Sequence, residues 1–323
     1  MKIIPFIVNV ELTNRCNMEC VFCDHQNLQN RMRIGDLEES LLCSVLESIA
    51  KFKIYELGIV GLGEPLLDRN LEGHLKTISK YKESFTRISL NSNGTLMDED
   101  KTRIILNSPV NLITFSLNAT SPQSYETLMR RDLFNTTVEN IKNFIESRKK
   151  YKQENMNVSI QFMSSDLNEE DQMHKIFKGY LDDKVIVYNR YVFNKPVLEK
   201  TGKGLVNVNK ADFGKRYPCW SMYSRVYIDI DGNAYPCTIG NDCYREGSDL
   251  CIGNIKRQNL VDIFNNKKMM QARSDSENNK RPFPECKWCT AWELFPNNFE
   301  YVESRWAHKK RDEVRREALD RKD

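Results

Sequence analysis

The stretch Cys16-Asn17-Met18-Glu19-Cys20-Val21-Phe22-Cys23 sets three thiols on one short loop with CxxxCxxC spacing. Three thiolates make an incomplete metal site. A structural zinc takes four protein ligands, and cysteine-held iron–sulfur clusters normally take four thiolates. A trio therefore leaves one iron open to bind and activate something else. Three structural cysteines or a zinc knuckle are the bland alternative. The surrounding motifs decide between these readings.

Working outward, the first 195 residues alternate strand and helix signals. Apolar, β-rich runs occur at Phe6–Leu12, Tyr55–Val60, Thr86–Asn91, Asn111–Leu117, Val158–Met163 and Val185–Val192. The clearest helical stripe between them is Leu37, Leu41, Leu42, Val45, Leu46 and Ile49, within 36–52. Asp36 followed by Glu39 reads as a capping box at its start. Cys43 reads as a small packed residue. Strand–helix alternation predicts parallel strands joined by crossover helices. Six such units predict an α/β fold, a partial (β/α)6 barrel rather than a closed eightfold one.

In parallel α/β folds, ligands gather at the C-terminal ends of strands. The notable turns fall there. The cysteines follow the first run. The second ends in Gly61-Leu62-Gly63-Glu64-Pro65, where glycine allows close backbone approach and Glu64 can accept from an ammonium group. The third runs into Ser92-Asn93-Gly94-Thr95, and the fourth into Ser116-Leu117-Asn118-Ala119. An ordinary strand-to-helix turn or Asn-Gly turn would also account for each alone.

Taken together, CxxxCxxC with Phe22 before its last cysteine, and these turns in this order, resemble the radical S-adenosylmethionine enzymes. The resemblance covers roughly residues 6–190. It implies a [4Fe–4S] cluster on Cys16, Cys20 and Cys23 whose open iron chelates S-adenosylmethionine. Cleavage then gives a 5′-deoxyadenosyl radical that takes a hydrogen atom from substrate. Gly63 and Glu64 match the family's GGEP motif, although Leu62 replaces its first glycine. They would hold the methionine amine. Asn93, Ser116 and Asn118 would contact the cofactor, with Asn118 replacing a usual acid. Tyr125–Phe134 (YETLMRRDLF) resembles a further family segment. It places Arg130 on the carboxylate-binding arginine, with Arg131 as the near alternative.

Residues 196–215 read as a linker. Beyond it, within 216–295, Arg225–Cys237 reads as a β-hairpin turning at Asp231-Gly232. Cys219, Cys237, Cys286 and Cys289 resemble the auxiliary-cluster extensions called SPASM and twitch. That resemblance implies a closed four-thiolate site for a second [4Fe–4S] cluster; a zinc ribbon is the alternative. Phe295 stands where the longer pattern continues with cysteine, so the shorter twitch form is expected. Pro282 and Pro284 predict an irregular loop before Cys286. Cys243 is a candidate hydrogen donor to a substrate radical, and Cys251 reads as structural. Residues 296–323 read as a charged helix or tail.

The remaining signals are negative or local. The chain has 323 residues, with 48 basic against 45 acidic, which gives no reason to expect nucleic-acid binding. No membrane span or signal peptide is evident. Ten cysteines clustered as CxxxCxxC and CxxC point to metal binding in a reducing, cytoplasmic setting. The four histidines form no constellation: His25 faces the site or solvent, while His74 and His174 read as surface or packing residues. Arg190 and Tyr188 lie near the sixth strand's end, where substrate is expected.

The expected reaction is two-electron oxidation of a sugar- or aminocyclitol-like small molecule. The Cys219–Cys237 spacing with a terminal CxxC resembles the radical dehydrogenases of aminoglycoside biosynthesis. Epimerisation with Cys243 as donor and modification of a ribosomal peptide are the alternatives. With Cys16 so early there is no room for a leader-binding domain, which lowers the peptide reading. A flavodoxin or ferredoxin is the expected electron donor.

Overall fold

The computed structural model describes residues 2–23, 25–28, 30, 32–163, 168–189, 219–237 and 248–287. All six expected strands form: β1 (Ile7–Val10), β2 (Ile54–Ile59), β3 (Phe85–Ser92), β4 (Leu112–Ser116), β5 (Asn157–Phe162) and β6 (Val185–Asn189). Each pairs in parallel with the next. Crossover helices connect them: α1 (Glu39–Ile49), α2 (Leu71–Ser79), α3 (Glu99–Leu106), α4 (Pro122–Met129), α5 (Phe134–Lys150) and α6 (Asn168–Ile176).

The free edge of β1 is taken by a later segment. Strand β7 (Arg225–Ile228) pairs in parallel with β1, Ile7 opposite Arg225 and Val10 opposite Ile228. Strands β8 (Asn233–Tyr235) and β9 (Gly253–Asn254) then follow antiparallel. Among the described residues the order is β6-β5-β4-β3-β2-β1-β7-β8-β9, one sheet with β6 and β9 at its edges. The expected hairpin is present, and Gly232 at its turn has φ +83°, which suits glycine. Asp229 organises that turn, accepting from the backbone of Asp231 and Asn233 and from the Asn233 and Tyr235 side chains. Helices α7 (Leu260–Phe264) and α8 (Lys267–Glu277) complete the described C-terminal part.

One sheet face packs on helices. Val8, Val10, Leu57, Ile59, Leu90, Ile113, Phe115, Val158 and Ile160 join the α1 stripe in the core. Phe115 meets Phe144 of α5 edge-on at 5.4 Å. The other face is polar. Asn9, Ser89, Thr114, Ser159 and Gln161 alternate with those apolar residues and are nonetheless buried. Fully covered parallel sheets usually carry near-continuous apolar strands. The alternation gives the sheet one apolar and one polar face.

Two local expectations are corrected. Helix α1 starts at Glu39, and its N-cap, Glu38, makes no side-chain cap. Asp36 instead pairs with Arg15 and bridges Thr13, which draws it out of any capping box. The segment holding Cys286 is a short 3-10 turn, Pro284–Lys287, because proline is tolerated at a first helical position. Residues 196–215 and 296–323 lie outside the described residues.

The core reading gives a direct test. Leu46 is fully buried on α1. Leu46→Ala is expected to lower stability by about 2–5 kcal/mol in urea unfolding. A loss under about 1 kcal/mol would mean that α1 does not pack as described.

Candidate active site

The cysteine loop leaves the end of β1 and is stitched to two neighbours. Thr13 Oγ1 donates to the Gly35 carbonyl, and the Asn14 amide bridges Arg33 and Gly35. His25, buried, bonds the Asn14 carbonyl through Nε2 at 2.6 Å, so it braces the loop rather than facing solvent. On the other side the Glu64 N–H donates to the Arg15 carbonyl at 2.7 Å. A Cβ on Gly63 would run into the backbone of Thr13, Asn14 and Arg15. Glycine is needed there because two chain segments touch.

Cys16, Cys20 and Cys23 are all half-buried. Burial pushes the Cys16 thiol up to about 12, with Glu64 and Cys23 adding repulsion. Burial also raises Cys20, and Cys23 and Cys16 raise it further. Thiols whose ionisation burial opposes, as at Cys16 and Cys20, fit a cationic iron centre that would neutralise them. Among the described residues no three His, Cys, Asp or Glu donors converge as for a single metal ion. A cubane, with each cysteine on its own iron, does not require that convergence. Phe22 is half-buried against the core beside them.

Glu64 is buried and binds three donors. Oε1 accepts from Leu66 N at 3.1 Å and Ser92 Oγ at 2.7 Å, while Oε2 accepts from Asn93 N at 2.6 Å. Burial raises its pKa to about 7 against these bonds. The Asn93 amide turns to the cysteine loop, its Nδ2 donating to Asn17 Oδ1 at 2.9 Å. Asn17 Nδ2 in turn donates to Thr95 at 2.8 Å. The cysteine loop and the ends of β2 and β3 are therefore one hydrogen-bonded unit.

Ser116 ends β4, half-buried, and Asn118 follows with φ +60°. Arg130 caps α4 in the left-handed region, φ +59°, with its side chain exposed. Arg131 is engaged elsewhere, with Glu19 at 2.5 Å. Tyr188 Oη donates to Gln161 Oε1 at 2.7 Å. His74, on α2, is buried and paired with Asp68 at 2.6 Å. Arg190, Cys243 and Cys289 lie outside the described residues.

Cys219, Cys237 and Cys286 each pack partly buried against the core. Cys219 N–H donates to Ser276 Oγ, and Cys286 N–H to the Phe283 carbonyl. Cys251 Sγ donates to the Gly253 carbonyl at 3.4 Å, a local structural bond. Thiolates are the donors that such a cluster takes, and these three come from separate segments.

Residues missed by sequence reasoning include Thr13, Asn14, Asn17, Gln161 and Glu11. Glu11 follows β1, is buried, and accepts from Leu62 N at 2.6 Å. Burial, with Asp229 adding repulsion, raises its pKa from 4.5 to about 8. The unfolded chain releases this proton first, so folding stability falls as pH climbs from about 4.5 to about 8. Glu11→Gln is expected to raise the urea midpoint relative to wild type at pH 8, with the gain vanishing towards pH 5. A pH-independent difference would contradict the buried, protonated state.

Comparison with known proteins gives the family and the fold. The radical SAM superfamily model matches residues 10–178, and the SPASM model, an iron–sulfur cluster-binding domain, matches residues 219–290. An uncharacterized protein of Methanocaldococcus jannaschii is 33% identical over 136 residues, a match spanning 42% of each chain. The GTP 3′,8-cyclase of Campylobacter jejuni is 23% identical, over 85% of this chain and 95% of that one. The solved structure of BtrN with AdoMet and 2-DOIA superposes with TM-score 0.58 at 15% identity, covering 92% of this chain and 98% of BtrN. Streptococcus suis SuiB bound to its precursor peptide SuiA gives TM-score 0.60 at 14% identity, covering 82% and 65%. At such identities these structures share the fold. The chain belongs to the radical S-adenosylmethionine superfamily and carries a SPASM domain towards its C-terminal end.

Proposed function

We propose that the protein oxidises a small polar molecule, a sugar- or aminocyclitol-like alcohol, by two electrons. When bound, the S-adenosylmethionine and clusters of this family supply a 5′-deoxyadenosyl radical that takes a substrate hydrogen, and an acceptor for the second electron. Cys16, Cys20 and Cys23 would hold the first cluster, and Cys219, Cys237, Cys286 and Cys289 the auxiliary one. Glu64 Oε2 takes a single donor and so keeps lone-pair capacity for the methionine ammonium. Gly63 would let backbone approach it, Arg130 would pair with the carboxylate, and Phe22, Asn93, Ser116 and Asn118 would line the rest.

The observation that carries the substrate class is the polar sheet face. Asn9, Ser89, Thr114, Ser159 and Gln161, on β1, β3, β4 and β5, line it where an apolar substrate would want apolar side chains. Those groups satisfy hydroxyls and amines of a small molecule, and would be costly to bury against hydrocarbon. The likeness to BtrN, described with 2-DOIA, supports the same reading at the level of fold. A peptide substrate is the second reading, supported by the likeness to SuiB with its precursor peptide. We further propose a cytoplasmic setting and a flavodoxin or ferredoxin as reductant. Among the described residues no helix is long and apolar enough to cross a membrane.

The outcome is testable with a panel of aminocyclitols and sugars, S-adenosylmethionine and dithionite in heavy water. Oxidation gives a product two hydrogens lighter, without solvent deuterium at the reacting carbon, and Cys243→Ala still forms it. A product of unchanged mass carrying one deuteron, and lost in Cys243→Ala, would replace oxidation with epimerisation.

A further inference from the structure

Three strand ends on the polar face are joined side chain to side chain. Ser116, Gln161 and Tyr188 stand level on β4, β5 and β6. Gln161 Oε1 accepts from Tyr188 Oη at 2.7 Å, and Gln161 Nε2 donates to Asn118 Oδ1 at 3.0 Å. Asn118 Nδ2 donates to Met129 Sδ at 3.6 Å. The Asn118 N–H also donates to the Gln161 carbonyl at 2.9 Å. Gln161, Asn118 and Met129 are buried.

The polarity of this chain runs one way, and Met129 sets it. A thioether sulfur only accepts, so the Asn118 amide must turn its NH2 towards it. That leaves Asn118 Oδ1 for Gln161, which must offer its own NH2. The Gln161 oxygen then faces Tyr188, whose hydroxyl donates. Met129 ends α4, and Arg130 follows immediately in the left-handed region. The placement of Arg130 therefore depends on what Met129 touches.

We propose that Gln161 is a positioning residue. It fixes the Asn118 amide and, through Met129, the Arg130 turn on the S-adenosylmethionine side, and it ties both to Tyr188 on the substrate side. The inference rests on the reading that Asn118 and Arg130 face S-adenosylmethionine. Gln161→Glu keeps the acceptor for Tyr188 and removes the donor for Asn118. Asn118 must then flip and turn its oxygen to the sulfur.

The test is equilibrium dialysis of S-adenosylmethionine against the cluster-loaded protein, in a double-mutant cycle. Gln161→Glu is expected to weaken binding about tenfold, a loss of about 1.4 kcal/mol, with iron content unchanged. In an Asn118→Ala background the same change is expected to alter affinity less than about twofold. Unchanged affinity in Gln161→Glu, or an equal loss in both backgrounds, would overturn the proposal. If Asn118→Ala and Arg130→Ala both leave affinity unchanged, the cofactor reading itself falls, and the proposal with it. Should Gln161→Glu fail to fold, Gln161→Met, similar in size and without the donor, makes the same comparison.

Discussion

The parallel pairing of β1 with both β2 and β7 is the constraint on which the rest depends. A strand held on both edges cannot shift register without breaking two ladders, so its C-terminal end is fixed in space. The cysteine loop leaves from that end. Thr13 and Asn14 then fasten it to the segment around Gly35, and Arg15 to Asp36 and the Leu67 carbonyl. Arg33 reaches on to Asp231 at 2.7 Å in the hairpin turn. The segment bearing the first cysteine set and the hairpin between Cys219 and Cys237 are thus built against one another.

The same sheet carries two different faces, and their energetics differ. The helix face is stabilised by apolar burial of α1, α2 and α5 on β1 to β5. The polar face would be costly if its groups were unpaired. Several are paired with each other: Ser89 with Glu56 at 2.6 Å, and Gln161 with Tyr188 and Asn118. Glu11 and Glu64 keep raised pKa values, both because burial disfavours their charged forms. Carboxyls perturbed by burial in this way cluster at functional sites.

Much of this was legible because the signals were local. The six strand runs and the α1 stripe depend on neighbouring residues, and so do CxxxCxxC, Gly63-Glu64 and Ser92-Asn93-Gly94. What was missed is non-local or hidden by composition. The α1 start moved because Arg15, twenty-one positions away, claims Asp36. The β1–β7 pairing joins residues more than two hundred positions apart, which no periodicity reports. The polar face was visible as alternation in Ile88-Ser89-Leu90-Asn91 and Val158-Ser159-Ile160-Gln161. It was overlooked because strands were recognised by their apolar content. His25 gave no sequence sign of its bond to Asn14, and Gln161 none of its bridge to Asn118.

The central claim is that one cysteine set leaves an iron open to S-adenosylmethionine while the other is closed. Electron paramagnetic resonance of the anaerobically reconstituted, dithionite-reduced protein tests it most directly. The account predicts two [4Fe–4S] signals, of which adding S-adenosylmethionine shifts only one, the one lost when Cys16, Cys20 and Cys23 are replaced by Ala. A single signal, or two signals that S-adenosylmethionine leaves unchanged, would contradict it.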